Sequence, residues 1–252
     1  MNRAEYRRAA RKNKGQGSEA RFADAVAFHE AGRMAEAEAL YRVILNAEPH
    51  NADALHLLGL VHFQTGRAEQ AIRFIHDAIA QDTNVAGYFA NLGRIFAATD
   101  DHVKAAEAYA QASAIDPRMP DAYANRGVSL EALGRIEEAE TAYREALALA
   151  PDNPDLIFNL GNAVRTARRF DEAIGLFRRV VALAPNHIDA YINLGQAYTA
   201  IDEFERAIGV YDDALSVQPD DVELHINRGI ALIRLWRFDE AVVTLKHAIE
   251  IV

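Results

Sequence analysis

The sequence predicts an all-α solenoid of seven helix pairs, and three observations in one register predict it. Aligned on "NLG", the chain shows a 34-residue period without insertion or deletion, with Gly59, Gly93, Gly127, Gly161, Gly195 and Gly229 at equal spacing. Ala37, Ala71, Ala105, Ala139, Ala173, Ala207 and Ala241 keep the same period. So do Pro49, Pro117, Pro151, Pro185 and Pro219, with Thr83 in the vacant slot. A period of this length marks stacked two-helix units, each burying its apolar face against its neighbours.

The elements follow in chain order. Residues 1–17 carry six Lys/Arg against one Glu and read as a basic arm, joined to the array through the flexible "KGQGS". The units then run 18–51, 52–85, 86–119, 120–153, 154–187, 188–221 and 222–252. The first has Asp24 and Ala25 where later units have Leu and Gly, which suits a terminal unit. Between the second and third, "QDTNVAGYFA" lacks the Pro, and in the third "ATDDH" replaces the Gly turn, which predicts an altered angle there. The fourth shows the plan most clearly: "PDAYANRGVSLEAL" has helical spacing, "GR" breaks it, "IEEAETAYREALAL" resumes it and "APDN" ends it. Gly127 and Ala139 fall where the two helices approach closely, while Tyr123, Leu130, Ile136 and Tyr143 fill the remaining volume. Pro151 and Pro154 lack an amide proton, so they stop one helix and start the next. Arg126 and Arg228 occupy the slot of Leu160 and Leu194, where a long stem snorkels. After "HAIEIV" no polar-faced helix follows, which leaves Leu245, Ile249 and Val252 uncovered. Either a longer protein continues the array or this end pairs with something.

These residues are the tetratricopeptide signature, and from residue 18 onward the chain resembles seven such repeats. The resemblance implies a right-handed superhelix of antiparallel helix pairs, with the first helix of each pair lining a concave groove.

Two slots before the Gly stand Asn91, Asn125, Asn159, Asn193 and Asn227, whereas the first two repeats have Ala23 and Leu57 there. Asn is a poor helix former, so something compensates for it. Rungs about 10 Å apart meet roughly every third residue of an extended peptide rising about 3.1–3.4 Å per residue. A carboxamide both donates and accepts, so it satisfies a peptide backbone whatever the side chains. Alternatively, each amide bonds the backbone of a neighbouring helix. The ladder, with "FNLGNAV" and "INLGQAY", resembles the repeats of O-linked N-acetylglucosamine transferases, and the resemblance implies amides that hold a substrate polypeptide.

One turn earlier lie Asp53, Asp121, Asp155, Asp189 and Glu223, on the face of the Asn series. They read as caps and dipole partners of the helix N-termini, or as a groove edge for hydroxyls and cations of a ligand. Asn162, three after Asn159, tunes the groove locally; its counterparts are Arg94, Val128, Gln196 and Ile230. Phe22, Val26, Leu57, Leu60 and Phe63 suggest an apolar end to the groove.

Other functions fit poorly. Beyond the arm the chain has 21 Lys/Arg against 36 Asp/Glu, an acidic body that argues against nucleic acid. No apolar run reaches the length of a membrane span. The amino-terminal residues lack the apolar stretch of a secretory signal, so a cytoplasmic location is the default expectation. Cysteine is absent, which excludes disulfides and thiolate metal sites. The cation before the ladder slot that makes a carboxylate clamp for chaperone tails is missing, since that position holds Phe22, His56, Ala90, Ala124, Phe158, Ile192 and Ile226. No phosphate-cradling loop, nucleophile elbow or dinucleotide fingerprint occurs, and "FHEAG" lacks the second His of a zinc helix. The nine His are scattered and read as solvated or half-buried. The expectation is a non-enzymatic module without cofactor or metal that binds an extended or disordered polypeptide. The alternatives are the substrate-recruiting region of a larger protein O-glycosyltransferase, and a scaffold that self-assembles as a homo-oligomer through its uncovered end helices.

Overall fold

The computed structural model describes residues 16–251, so the basic arm expected over residues 1–17 lies mostly outside the described residues, as does Val252. Among the described residues there are fourteen helices and no strand. They are α1 (Gln16–Glu30), α2 (Met34–Ala47), α3 (Ala52–Gln64), α4 (Ala68–Gln81), α5 (Ala86–Ala98), α6 (His102–Ile115) and α7 (Pro120–Ala132). Then come α8 (Ile136–Leu149), α9 (Pro154–Thr166), α10 (Phe170–Leu183), α11 (Ile188–Ala200), α12 (Phe204–Val217), α13 (Val222–Arg234) and α14 (Phe238–Ile251). They form the seven helix pairs the period predicts. The first helix starts at Gln16, inside "KGQGS". The chain divides into two compact units, unit 1 (residues 1–133) and unit 2 (residues 134–252).

Helix starts are fixed two residues ahead of the carboxylate series. Asn51 Oδ1 accepts from the Ala54 amide at 3.0 Å, Asn153 Oδ1 from Asp155 and Leu156 at 3.0 and 3.2 Å, and Asp221 Oδ1 from Leu224 at 2.9 Å. The expectation that Asp53, Asp155 and Glu223 cap these helices is corrected: Asn51, Asn153 and Asp221 cap them. The carboxylates sit within the first turn, where they complement the helix dipole. Pro120 and Pro154 open α7 and α9 at positions that need no amide donor.

The turn inside each pair repeats more strictly than its residues do. Gly32, Gly66 and Gly134, but also Asp100, Arg168, Asp202 and Trp236, all take φ between 60° and 79°, and all stand 34 apart. In "ATDDH" the Asp101 amide bonds Phe96 O at 2.9 Å and the Asp100 amide bonds Ala97 O at 3.2 Å. The Gly-containing turn makes the same pair, from Arg67 to His62 and from Gly66 to Phe63. The expected loss of the Gly turn is therefore a change of residue within an unchanged turn.

Close packing explains the glycine series. A Cβ on Gly59 would lie 2.8 Å from Ile75 Cγ1, one on Gly93 3.0 Å from the Tyr109 ring, and one on Gly229 2.6 Å from Leu245 Cδ2. In each pair a large residue sixteen positions later fills the space that the missing side chain leaves. Unit 1 is cored by Phe22, Tyr41, Leu57, Leu58, Leu60 and Ile75, all at most 2% exposed. Each contributes about 1.5–3 kcal/mol by burial. The apolar groove end expected at Phe22, Val26, Leu57, Leu60 and Phe63 is thus core: the first four are buried and Phe63 packs against them. In unit 2, Phe204 and Ile208 are 8% and 5% exposed, while their counterparts Phe238 and Val242 are 50% exposed and Ile249 is 76% exposed. Leu245 is half-buried against Gly229.

Candidate functional site

The Asn series lies on the first helices, and within each unit successive first helices touch, α3 with α5 and α5 with α7, then α9 with α11 and α11 with α13. The five amides nevertheless have different fates. Asn91 is buried, and its Nδ2 donates to Gly87 O at 2.9 Å and to His56 Nε2 at 3.1 Å. At this rung the amide is spent within the protein. Asn193 Nδ2 donates to Asn162 Oδ1 at 2.8 Å, so these two amides are paired with each other. Asn125 is exposed and Asn159 half-buried, and neither side chain bonds any described residue. Asn227 Nδ2 is buried without a partner among the described residues. The Gly87 carbonyl belongs to Asn91's own helix and His56 contributes a side chain, so among the described residues none of the five amides bonds the backbone of a neighbouring helix.

Asn91 and Asn125 border one groove of unit 1, about 540 Å³ in volume, lined also by Arg94, Tyr109, Met119 and Asp121. Beside it in the sequence, Tyr88 donates its hydroxyl to Asp53 Oδ1 at 2.6 Å and lies against the His56 ring at 4.6 Å. This cluster borders a second cleft of about 390 Å³ with Glu48 and Asp82 on its rim. Burial pushes the Tyr88 hydroxyl well above its usual range, assisted by the bond to Asp53. Burial, and then the Arg94 charge, push His56 down to about 3, so it is a neutral acceptor for Asn91. His29, His56, His62 and His225 are all buried, unlike the solvated or half-buried state expected of the nine.

In unit 2, Asp155, Asp189 and Glu223 are exposed in the first turns of α9, α11 and α13, and Asp121 has the same place on α7 in unit 1. Arg228 reaches Asp212 Oδ1 at 2.6 Å, an ion pair that bears out its structural reading. Sequence reasoning missed the linkage of Asp53, Tyr88, His56 and Asn91, because Tyr88 and His56 belong to no periodic series. The signal available was a Tyr and a His at the slots where most repeats carry apolar or small residues.

A family model described as tetratricopeptide repeat matches residues 3–48, 90–154 and 125–188, and a second model of the same description matches 28–94 and 164–225. Cellulose synthase operon protein C of Komagataeibacter xylinus is 41% identical over 59 residues, which is 23% of this chain and 4% of that protein. The chain thus matches only a small part of that curated relative's length. A tetratricopeptide repeat protein from Parabacteroides merdae superposes with a TM-score of 0.68 at 18% identity, covering 94% of each chain. MamA gives 0.63 at 24% identity, over 66% of this chain and 91% of that one. YrrB, described as a tetratricopeptide protein with an unusual peptide-binding site, gives 0.62 at 20% identity over 70% and 91%. At these identities the structural likeness is one of fold, and none of these matches is specific to the glycosyltransferases that the ladder resembles.

Proposed function

We propose, on the premise that the chain belongs to the tetratricopeptide repeat family of protein–protein interaction modules, that it holds an extended polypeptide against its first helices through the Asn ladder. The observation that carries this reading is the state of the amides: Asn125 and Asn159 have no partner among the described residues, and the Asn227 amide nitrogen is likewise unpaired. Leaving a buried donor unpaired costs about 1–3 kcal/mol, a cost that a ligand carbonyl would relieve. The exposed carboxylates Asp121, Asp155 and Asp189, one turn away, supply the groove edge. The partner is a peptide or disordered tail recognised mainly through its backbone.

The test is an array of randomised twelve-residue peptides probed with the full chain and with the Asn125→Ala/Asn159→Ala/Asn193→Ala variant. The proposal expects capture by the full chain and its loss in the variant, with helical circular dichroism retained. Undiminished capture by the variant contradicts it.

A second reading, self-association, is favoured by one specific contrast: Phe238 and Val242 are 50% exposed where Phe204 and Ile208 are nearly buried. Light scattering after size exclusion tests it. A mass that rises with concentration and falls to the monomer in Val242→Lys supports self-association, and a concentration-independent monomer excludes it.

A further inference from the structure

We infer that Arg94 makes the groove of unit 1 selective for an extended peptide that carries an aspartate or glutamate side chain opposite α5. This rests on the peptide reading above and adds to it a side-chain preference that a backbone-reading ladder lacks.

Arg94 follows Asn91 by one helical turn and lines the same groove as Asn91 and Asn125. It is exposed, and its guanidinium has no carboxylate within ion-pair distance among the described residues, whereas Arg67, Arg144, Arg169, Arg228 and Arg237 each hold one. Its guanidinium carbon stands 5.8 Å from the Phe63 ring centroid, within range of a weak cation–π attraction, and its planar fork suits a carboxylate. The charge is felt within the site: it adds to burial in lowering His56 and opposes burial at Tyr109.

The position is singular in the register. Its counterparts are Val26, Leu60, Val128, Asn162, Gln196 and Ile230, none charged, so only this repeat carries a cation three residues after the ladder slot. It also stands three residues after the ladder slot, not immediately before it, so it would read a side chain within the ligand and not a chain terminus. In an extended peptide held at its backbone by an amide, alternate side chains project to the same side. With the backbone held at Asn125, whose amide has no partner among the described residues, one of them faces the Arg94 guanidinium in the same groove. The groove also carries Asp116 and Asp121, with Asp116 facing Arg118 at 3.9 Å. Those carboxylates repel an anion in proportion to its charge, so they disfavour a doubly charged phosphoryl group more than a singly charged carboxylate.

The same randomised peptide array, probed with wild type, Arg94→Gln and Arg94→Glu, tests the inference, with circular dichroism checking that each variant folds. Wild type should enrich Asp or Glu at one fixed position. Arg94→Gln should abolish that enrichment and weaken acidic peptides about tenfold, and Arg94→Glu should turn it toward Lys or Arg. Replacing the enriched acid by phosphoserine should weaken binding to wild type; tighter binding would overturn the assignment to a carboxylate. Capture that needs Asn125 but shows the same preference in all three proteins overturns the inference alone. Absence of any capture by wild type overturns both the inference and the peptide reading.

Discussion

Replacing Gly161 by Ala separates close helix packing from helix propensity. In a helix interior the change should stabilise by about 0.8–1 kcal/mol, because Ala orders at lower entropic cost. At this site a Cβ would lie 2.6 Å from Phe177 Cε1 and 3.0 Å from Cδ1 and Cζ. The Phe177 ring is fully buried, with Phe158 5.9 Å away, so it has little room to retreat. Overpacking of this kind costs about 1–3 kcal/mol, which outweighs the propensity gain and leaves a net loss of about 1 kcal/mol. Gly175 supplies the control: it lies within α10, is exposed, and a Cβ there meets nothing within 4 Å. Gly175→Ala should therefore gain about 0.8–1 kcal/mol, putting the two variants about 2 kcal/mol apart. Urea unfolding followed by circular dichroism measures the difference, and hydrogen exchange in α9 and α10 localises it. A Gly161→Ala protein as stable as Gly175→Ala would refute the packing argument.

Other substitutions and conditions give sharp expectations. Arg168 is exposed at φ 60° in a turn where three repeats use Gly. Arg168→Gly should raise the thermal midpoint, corresponding to about 0.5–1 kcal/mol of relieved strain net of chain entropy. Asn91→Ala removes the donor to Gly87 O and His56 Nε2 and should cost about 1–2 kcal/mol. Asn125→Ala, at an exposed rung without such bonds, should leave the urea midpoint unchanged or slightly raised. Stability should also fall with acid in a window set by His56: the unfolded side chain takes up its proton near 6.5, but the folded one only near 3. The stability is complete above about pH 6.5 and declines toward pH 3 by up to about 1.4 kcal/mol per unit, or about 2 kcal/mol at pH 5. His29 and His62 are lowered too and steepen this decline, whereas Glu38, held down to about 2 chiefly by Arg67, acts only below about pH 4.5. His56→Gln should flatten the pH dependence of the urea midpoint by about one proton.

The helix pairs were legible because the residues that fix them recur. Gly161 reads as a close contact from the period alone, and Phe177 proves to be what it accommodates. The left-handed turn was less legible at Asp100, Arg168, Asp202 and Trp236, where the backbone keeps a conformation that the residue type does not advertise. Groove and core were confused at Phe22 and Leu60, because an apolar residue on a first helix faces either one, and only the neighbouring helices decide which. The ladder was legible as a series but not rung by rung. Whether an amide is spent, as at Asn91, shared, as at Asn193, or free, as at Asn125, depends on residues 31 to 35 positions away. Those neighbours are His56 and Asn162, one non-periodic and the other singled out only as a local feature.

The claim that free ladder amides hold a peptide backbone is tested most directly by nuclear magnetic resonance of the side-chain amides. The ¹⁵N-labelled chain would be titrated with a peptide selected from the array, and then with the same peptide N-methylated along its backbone. The account predicts that the NH₂ resonances of Asn125 and Asn159 move on binding, that Asn91 moves little, and that the methylated peptide fails to bind. Tight binding with the Asn125 and Asn159 resonances unmoved, or binding that survives methylation, would contradict it.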